Sequence, residues 1–204
     1  MNTEYKDNKC SNNKNLEVNY NQGGIVYNNL NLNKAEYGEI QMVGDGNCFY
    51  RCLAFHLERS QDNYDFYRNK IYHYIKKNKK KLKEFFSKQS NETEDLYEQR
   101  YDIFIESIQN DGNFAGDFEL AAASILLKKN IIIYANTPDT YKFLCKYSNS
   151  DINIDNDILI AYRNNNHFNI IASKNVNLHI KLEKNEISKI HNNIDSLYKK
   201  NITL

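Results

Sequence analysis

Gly44-Asp45-Gly46-Asn47-Cys48 is the stretch of this chain whose residue types and spacing could do chemistry. Two glycines flanking one residue open backbone conformations closed to other side chains and let the chain approach a ligand closely. The cysteine that follows falls in the first turn of a helix. Unpaired amides and the positive end of the helix dipole favour a thiolate there and lower the thiol pKa. The same amides, those of Gly46, Asn47 and Cys48, can donate to an oxygen that turns negative on an attacked carbonyl. The segment would then hold both a nucleophile and an oxyanion hole. A cysteine without that approach would read as a small buried hydrophobe.

A thiol nucleophile needs a base, and the chain has five histidines. His56 lies about two turns along the same helix, about 12 Å away by helical rise, and is out of reach. His73 belongs to a lysine-rich helix, and His179 and His191 lie in the tail. His167 is left, at the point where an Asn-rich loop enters a strand. Asn169 follows on the same strand face, since side chains alternate. Its amide oxygen could accept from the imidazole Nδ1–H, fixing the tautomer and turning Nε2 toward the sulfur. Phe168 between them is open to two readings, a wall of a substrate channel or an inward core residue. A zinc site built from Cys48, Cys52 and His56 is a poor alternative, because ligands on successive turns of one helix do not converge tetrahedrally. No metal and no cofactor are expected, and Cys52 is expected in the core beneath Cys48.

The elements that must position these residues follow from periodicity. Helices are expected over residues 48–59, 64–80, 94–109 and 117–128, each with apolar side chains at three- and four-residue spacings. Strands are expected over 131–134, 141–147, 158–162 and 167–172. Helices first and a run of short antiparallel strands later predict an α+β domain, a small and mostly antiparallel sheet flanked by helices. Three regions are expected: a loosely ordered Asn-rich leader over 1–35, the main domain over 36–174, and a C-terminal extension over 175–204. In that extension Ile187, Ile190, Ile194 and Leu197 mark one face of an amphipathic helix.

With 204 residues the chain can bury a real core, and its 16 tyrosines and 10 phenylalanines supply rings for it. A net charge of +1 says little about partners, though a nucleic-acid binder would normally be clearly basic; the lysine run 76–83 reads as the solvated end of a helix, and no nucleic-acid partner is expected. Four cysteines without a CxxC pair, no signal peptide and no spanning apolar run point to free thiols in a reducing, cytosolic compartment, with no membrane partner.

Gly44 to Arg51 resembles the nucleophile segment of the ovarian tumour (OTU) family of deubiquitinating cysteine proteases. The stretch Phe114-Ala115-Gly116-Asp117-Phe118-Glu119-Leu120-Ala121-Ala122 is similar to that family's mid-domain helix, where Phe114 stands at a position often held by Trp. Residues 158–171, containing Asn166-His167-Phe168-Asn169, resemble its histidine strand. The three occur in the family's order over residues 37–172. The resemblance implies a papain-like fold and hydrolysis after the C-terminal glycine of ubiquitin, with ubiquitin or polyubiquitin as partner. By position it implies Cys48 as nucleophile, His167 as general base, Asn169 as the orienting residue and Asp45 as shaper of the oxyanion loop. Two alternatives stay open: an OTU-like module that binds ubiquitin with little catalysis, and an isopeptidase for a ubiquitin-like modifier. From a bacterium or virus without ubiquitin, such a protein would be an effector in the host cytosol.

Overall fold

The protein is described by a computed structural model over residues 17–20, 30–83, 86–148, 153–164 and 166–174, with backbone alone at 17–20 and 148. The expected C-terminal helix and Cys10 lie outside the described residues.

Apolar runs with no polar alternation build the middle of the sheet. In β4 (Ile131–Asn136), Ile131 and Ile133 face one core cluster while Ile132 and Tyr134 face another. In β6 (Ile158–Arg163), Ile158 and Ile160 face the first cluster, and Leu159 and Ala161 the second. Strands buried on both sides read as continuous hydrophobic runs. Around them stand β1 (Glu17–Tyr20), β2 (Leu32–Asn33), β3 (Tyr37–Ile40), β5 (Thr140–Ser148) and β7 (His167–Ser173). The seven strands run in the order β1-β5-β4-β6-β7-β3, with β2 also on β5.

Pairing is antiparallel except between β4 and β6, which run parallel with Ile131 opposite Ile158. The sheet is therefore mixed but mostly antiparallel, as the sequence reading expected, with β4 and β6 the parallel pair. The far side of β5 is taken by β1 and β2, so the chain passes back to the free side of β4. The Asp157 carboxylate fixes that passage by accepting from Asn130 Nδ2 at 3.0 Å and the Asn153 amide at 2.7 Å. Both β1 and β2 come from the stretch expected as a leader, which thus contributes edge pairing to the sheet.

Helices α1 (Cys48–Glu58), α2 (Tyr64–Lys77), α4 (Glu94–Ser107) and α5 (Asp117–Leu127) bury their apolar residues in the first cluster. The expected long second helix is interrupted. Asn78 closes α2 by returning its amide and side-chain Nδ2 to the Tyr74 carbonyl, and α3 (Lys79–Leu82) follows, with Leu82 buried. The lysine run is only partly solvated. Lys76 pairs with Glu106 at 2.8 Å, Lys79 with Asp102 at 2.5 Å and Lys83 with Glu94 at 2.7 Å, all toward the acidic side of α4. Such exposed pairs are screened by solvent and add little to stability. No helix among the described residues is long and apolar enough to cross a membrane.

Candidate active site

α1 begins at Cys48 and packs against β7, so the helix start is brought to the strand that carries His167. Ahead of it the 44–47 turn is braced from several directions. The Asp45 carboxylate takes Arg51 Nη2 at 2.5 Å and Nε at 3.1 Å, and accepts the Asn47 amide at 3.0 Å, which corrects the expectation that this amide would be open to an oxyanion. Arg51 hydrogen bonds, opposed by some burial and helped by Asn47, hold that carboxyl well below the usual carboxylate range. Arg51 itself lies over the Tyr64 ring at 3.9 Å and donates to the Gln61 carbonyl at 2.9 Å.

Gly46 has φ +84°, a left-handed conformation that favours glycine. A Cβ there would also lie 1.7 Å from the Gly112 carbonyl oxygen, so the turn is pressed against the 108–113 loop. Asn47 is a residue type suited to capping a helix, yet its side chain makes no cap bond. Its Oδ1 instead accepts from Arg68 Nη2 at 2.6 Å and from the Gly112 amide at 3.2 Å. The first amides of α1 are thereby left free of a side-chain cap.

Cys48 is 1% exposed. Burial pushes its thiol up; the amides of Phe168, Phe49 and Cys48 itself pull it back, and the Asp45 charge adds to the rise. The net direction is upward. This corrects the expectation that the helix start alone would depress the pKa: those amides do face the sulfur, but desolvation outweighs them. Cys52 is fully buried beneath Cys48, as expected, and burial raises its thiol far above the ordinary value.

On β7, His167 and Asn169 share one strand face. His167 Nε2 lies 3.0 Å from Asn169 Oδ1, and the same oxygen accepts the Met42 amide at 3.0 Å. The imidazole thus gives Asn169 the nitrogen opposite to the one expected, which leaves Nδ1 as the nitrogen available to the sulfur. The ring edge also borders the nucleophile turn, since a Cβ on Gly44 would sit 3.9 Å from His167 Cε1. Asn169 Nδ2 donates to Glu39 Oε2 at 2.9 Å, which fixes which way its amide points. Glu39 in turn takes Arg163 Nε at 2.6 Å and Nη2 at 3.0 Å, and accepts from Asn136. Burial alone would raise the Glu39 carboxyl, but hydrogen bonds from Arg163, Asn169 and Asn136 outweigh it and hold it below its usual value.

Every residue named from sequence is therefore in one neighbourhood: Asp45, Gly46, Asn47 and Cys48 on the turn and helix start, His167, Phe168 and Asn169 on the adjoining strand. Of the two readings of Phe168, the inward one holds for its side chain. It is 9% exposed and packs against Phe49 and Tyr162, with centroids 6.1 and 5.2 Å away, while its backbone amide meets Cys48. His56 is half-buried at the far end of α1, and desolvation, with Lys129 and Arg59 nearby, lowers its pKa. Glu39, Arg68 and Arg163 were not found from sequence. They act through contacts between residues far apart in the chain, and no local pattern marks them.

Comparison with known proteins agrees with this geometry. Residues 43–168 match the family described as OTU-like cysteine protease. Over 135 residues the chain is 31% identical to the OVARIAN TUMOR DOMAIN-containing deubiquitinating enzyme 7 of Arabidopsis thaliana, covering 66% of this chain and 32% of that relative. The chain thus spans about a third of the relative's length. Among solved structures, the viral OTU domain protease from Farallon virus shares the fold with a TM-score of 0.58 at 18% identity, over 77% of this chain and 98% of the other. The Hazara virus OTU bound to ubiquitin does so with a TM-score of 0.51 at 16% identity, over 68% and 82%. With a family match over most of its length, a papain-like α+β fold, and a cysteine at a helix start beside a His-x-Asn strand, the chain belongs to the OTU-like cysteine protease family.

Proposed function

We propose that this protein is an active deubiquitinase that cleaves the bond after the C-terminal glycine of ubiquitin through a thioester on Cys48. The observation that carries the reading is the chain of contacts from His167 through Asn169 to Glu39, built beside a cysteine at a helix start. A module that only held ubiquitin would have no use for a half-buried carboxylate that fixes which way the Asn169 amide points. The likeness to an OTU structure bound to ubiquitin agrees in fold.

In this mechanism Asn169 Oδ1 accepts the His167 Nε2 proton, so Nδ1 is unprotonated and takes the thiol proton as sulfur attacks. A thiol raised by burial calls for removal of the proton during attack rather than a standing thiolate. The carbon–sulfur bond forms, the carbonyl π pair moves to oxygen, and the amides of Gly46 and Cys48 receive the negative charge, the Asn47 amide being held by Asp45. Collapse expels the amine, which leaves with the proton from Nδ1. Water then adds to the thioester with His167 again as base, and the Cys48 thiol is regenerated as the acid product departs. Selectivity for a Gly-Gly terminus follows if the approach to Cys48 is too narrow for side chains.

A panel of ubiquitin dimers covering every linkage, run beside ubiquitin-like fusions, tests this. Cleavage of at least one ubiquitin linkage by the wild type, and of none by Cys48→Ala, is expected. Ubiquitin binding with every dimer left intact would replace the reading with a binding module. Cleavage confined to a ubiquitin-like fusion would reassign the substrate.

A further inference from the structure

Arg68 is a buried cation, 3% exposed, that reaches from α2 into the space behind the nucleophile turn. Its Nη2 donates to Asn47 Oδ1 at 2.6 Å and to the Asn113 carbonyl at 2.7 Å, and its Nη1 to the Ile108 carbonyl at 2.7 Å. The guanidinium plane lies 4.0 Å from the centroid of the Tyr50 ring. One side chain therefore joins α2, the start of α1 and the loop that presses on Gly46.

All three acceptors are neutral oxygens. The buried acid nearby, Glu119, accepts its hydrogen bond from the Gly116 amide at 3.0 Å. Arg68 Nε and the Tyr50 hydroxyl are left without a hydrogen-bond partner among the described residues. Burying a guanidinium with an unmatched N–H and no bonded carboxylate is costly, and an apolar side chain of similar volume would fill the space at less cost. What the arginine adds is a planar fork that only fits when Asn47 and the 108–113 carbonyls stand in one arrangement.

We infer that Arg68 is a positioning residue for the reaction: through Asn47 Oδ1 and the 108–113 loop it holds the amides of Gly46 and Cys48 where the oxyanion forms. The inference rests on the reading of Cys48 as the nucleophile of a deubiquitinase. It also accounts for Asn47. The side chain that would ordinarily cap α1 is drawn away to Arg68, and the helix-start amides stay open toward the sulfur.

The test compares wild type, Arg68→Lys, Arg68→Met, Asn47→Ala and the double variant Arg68→Met/Asn47→Ala. Three readouts are taken: steady-state cleavage of a ubiquitin amide, inhibition by ubiquitin aldehyde, and alkylation of Cys48 by iodoacetamide. The aldehyde adduct places a charged or hydroxyl oxygen in the same amides, whereas alkylation needs only an accessible sulfur. For Arg68→Lys, kcat should fall by about 10- to 100-fold with KM changed less than about threefold. Aldehyde affinity should fall by the same factor and the alkylation rate should hold. Arg68→Met should lose more, and the double variant no more than the worse single one, since both act through one contact. Melting temperature, followed for each variant, separates this from simple loss of fold. The inference is overturned if Arg68→Lys keeps the wild-type kcat and aldehyde affinity. It is equally overturned if kcat and alkylation fall together with the folded fraction. A wild type inert to ubiquitin aldehyde would instead remove the deubiquitinase reading, and the inference with it.

Discussion

The two halves of the site are braced alike but built from different distances along the chain. On the nucleophile side, Asp45, Gly46, Asn47 and Cys48 are contiguous, and Arg51, one turn on, locks Asp45. On the base side, His167 and Asn169 come from β7 but depend on Glu39 of β3 and Arg163 of β6, which the sheet brings together. Each side ends on an arginine holding an oxygen: Arg68 on Asn47 behind the cysteine, Arg163 on Glu39 behind the histidine. The nucleophile is fixed by local backbone conformation with Arg68 and the 108–113 loop behind it, and the base by sheet pairing. Changes to the first should therefore act through backbone geometry, and changes to the second through the polarity of a relay.

Gly46→Ala should have the largest effect. Its φ of +84° and the 1.7 Å approach to the Gly112 carbonyl leave no room for a methyl group, and both obstacles are backbone. A loss of about 1–3 kcal/mol of stability is expected from the strained conformation alone, and more from the clash, with activity lost as well. Denaturant unfolding beside a cleavage assay checks it; near-normal values in both would mean that the turn is not fixed by the 108–113 loop.

On the base side the sharper experiment is Asn169→Asp. An aspartate could still face His167, but it has no donor for Glu39 Oε2, which now receives Asn169 Nδ2 at 2.9 Å. Two carboxylates would stand together, one of them forced to take a proton. Activity near neutral pH should fall by about 10-fold, the scale of a single proton-transfer or orienting contribution. Glu39→Gln in the same chain should recover most of it, because a glutamine amide can donate to the new carboxylate. No recovery in steady-state kinetics would separate Glu39 from the relay.

The smallest effect expected is on stability against pH. Burial raises Glu119 to about 7 from 4.5, opposed by the amides of Gly116 and Glu119 and by Arg68. A carboxyl whose folded pKa is raised contributes stability that is whole below its unfolded value and is lost as pH rises through the folded one. Melting temperature should therefore decline between pH 4.5 and about 7, and Glu119→Gln should flatten that decline by a few degrees, or on the order of 1 kcal/mol. Activity per folded molecule should be unchanged. A slope identical in both proteins would show that other groups set it.

How much was legible in the sequence divides along the same line. The helices beginning at Cys48, Tyr64, Glu94 and Asp117 were readable because apolar spacing and helix-start chemistry are local signals. The four later strands were readable for the same reason. Strand order was not: β6 pairs parallel with β4 because β5 is already occupied on its far side, and no period in the sequence encodes occupancy. Edge strands β1 and β2 escaped notice in an Asn-rich stretch, since edge pairing needs backbone groups and little apolar pattern. The thiol pKa went the other way from expectation because burial of Cys48 depends on α1 docking against β7. Glu39 looks like any strand carboxylate until the sheet puts it behind Asn169. The imidazole nitrogens exchanged roles because Asn169 meets the ring from the Nε2 side.

The central claim is that Cys48 is the nucleophile of a ubiquitin-directed protease, and ubiquitin carrying a C-terminal electrophile tests it most directly. Wild type should form a single adduct one ubiquitin heavier, mapped by peptide mass to Cys48, and Cys48→Ala should form none. An unlabelled wild type, or equal labelling of Cys48→Ala, would contradict the account.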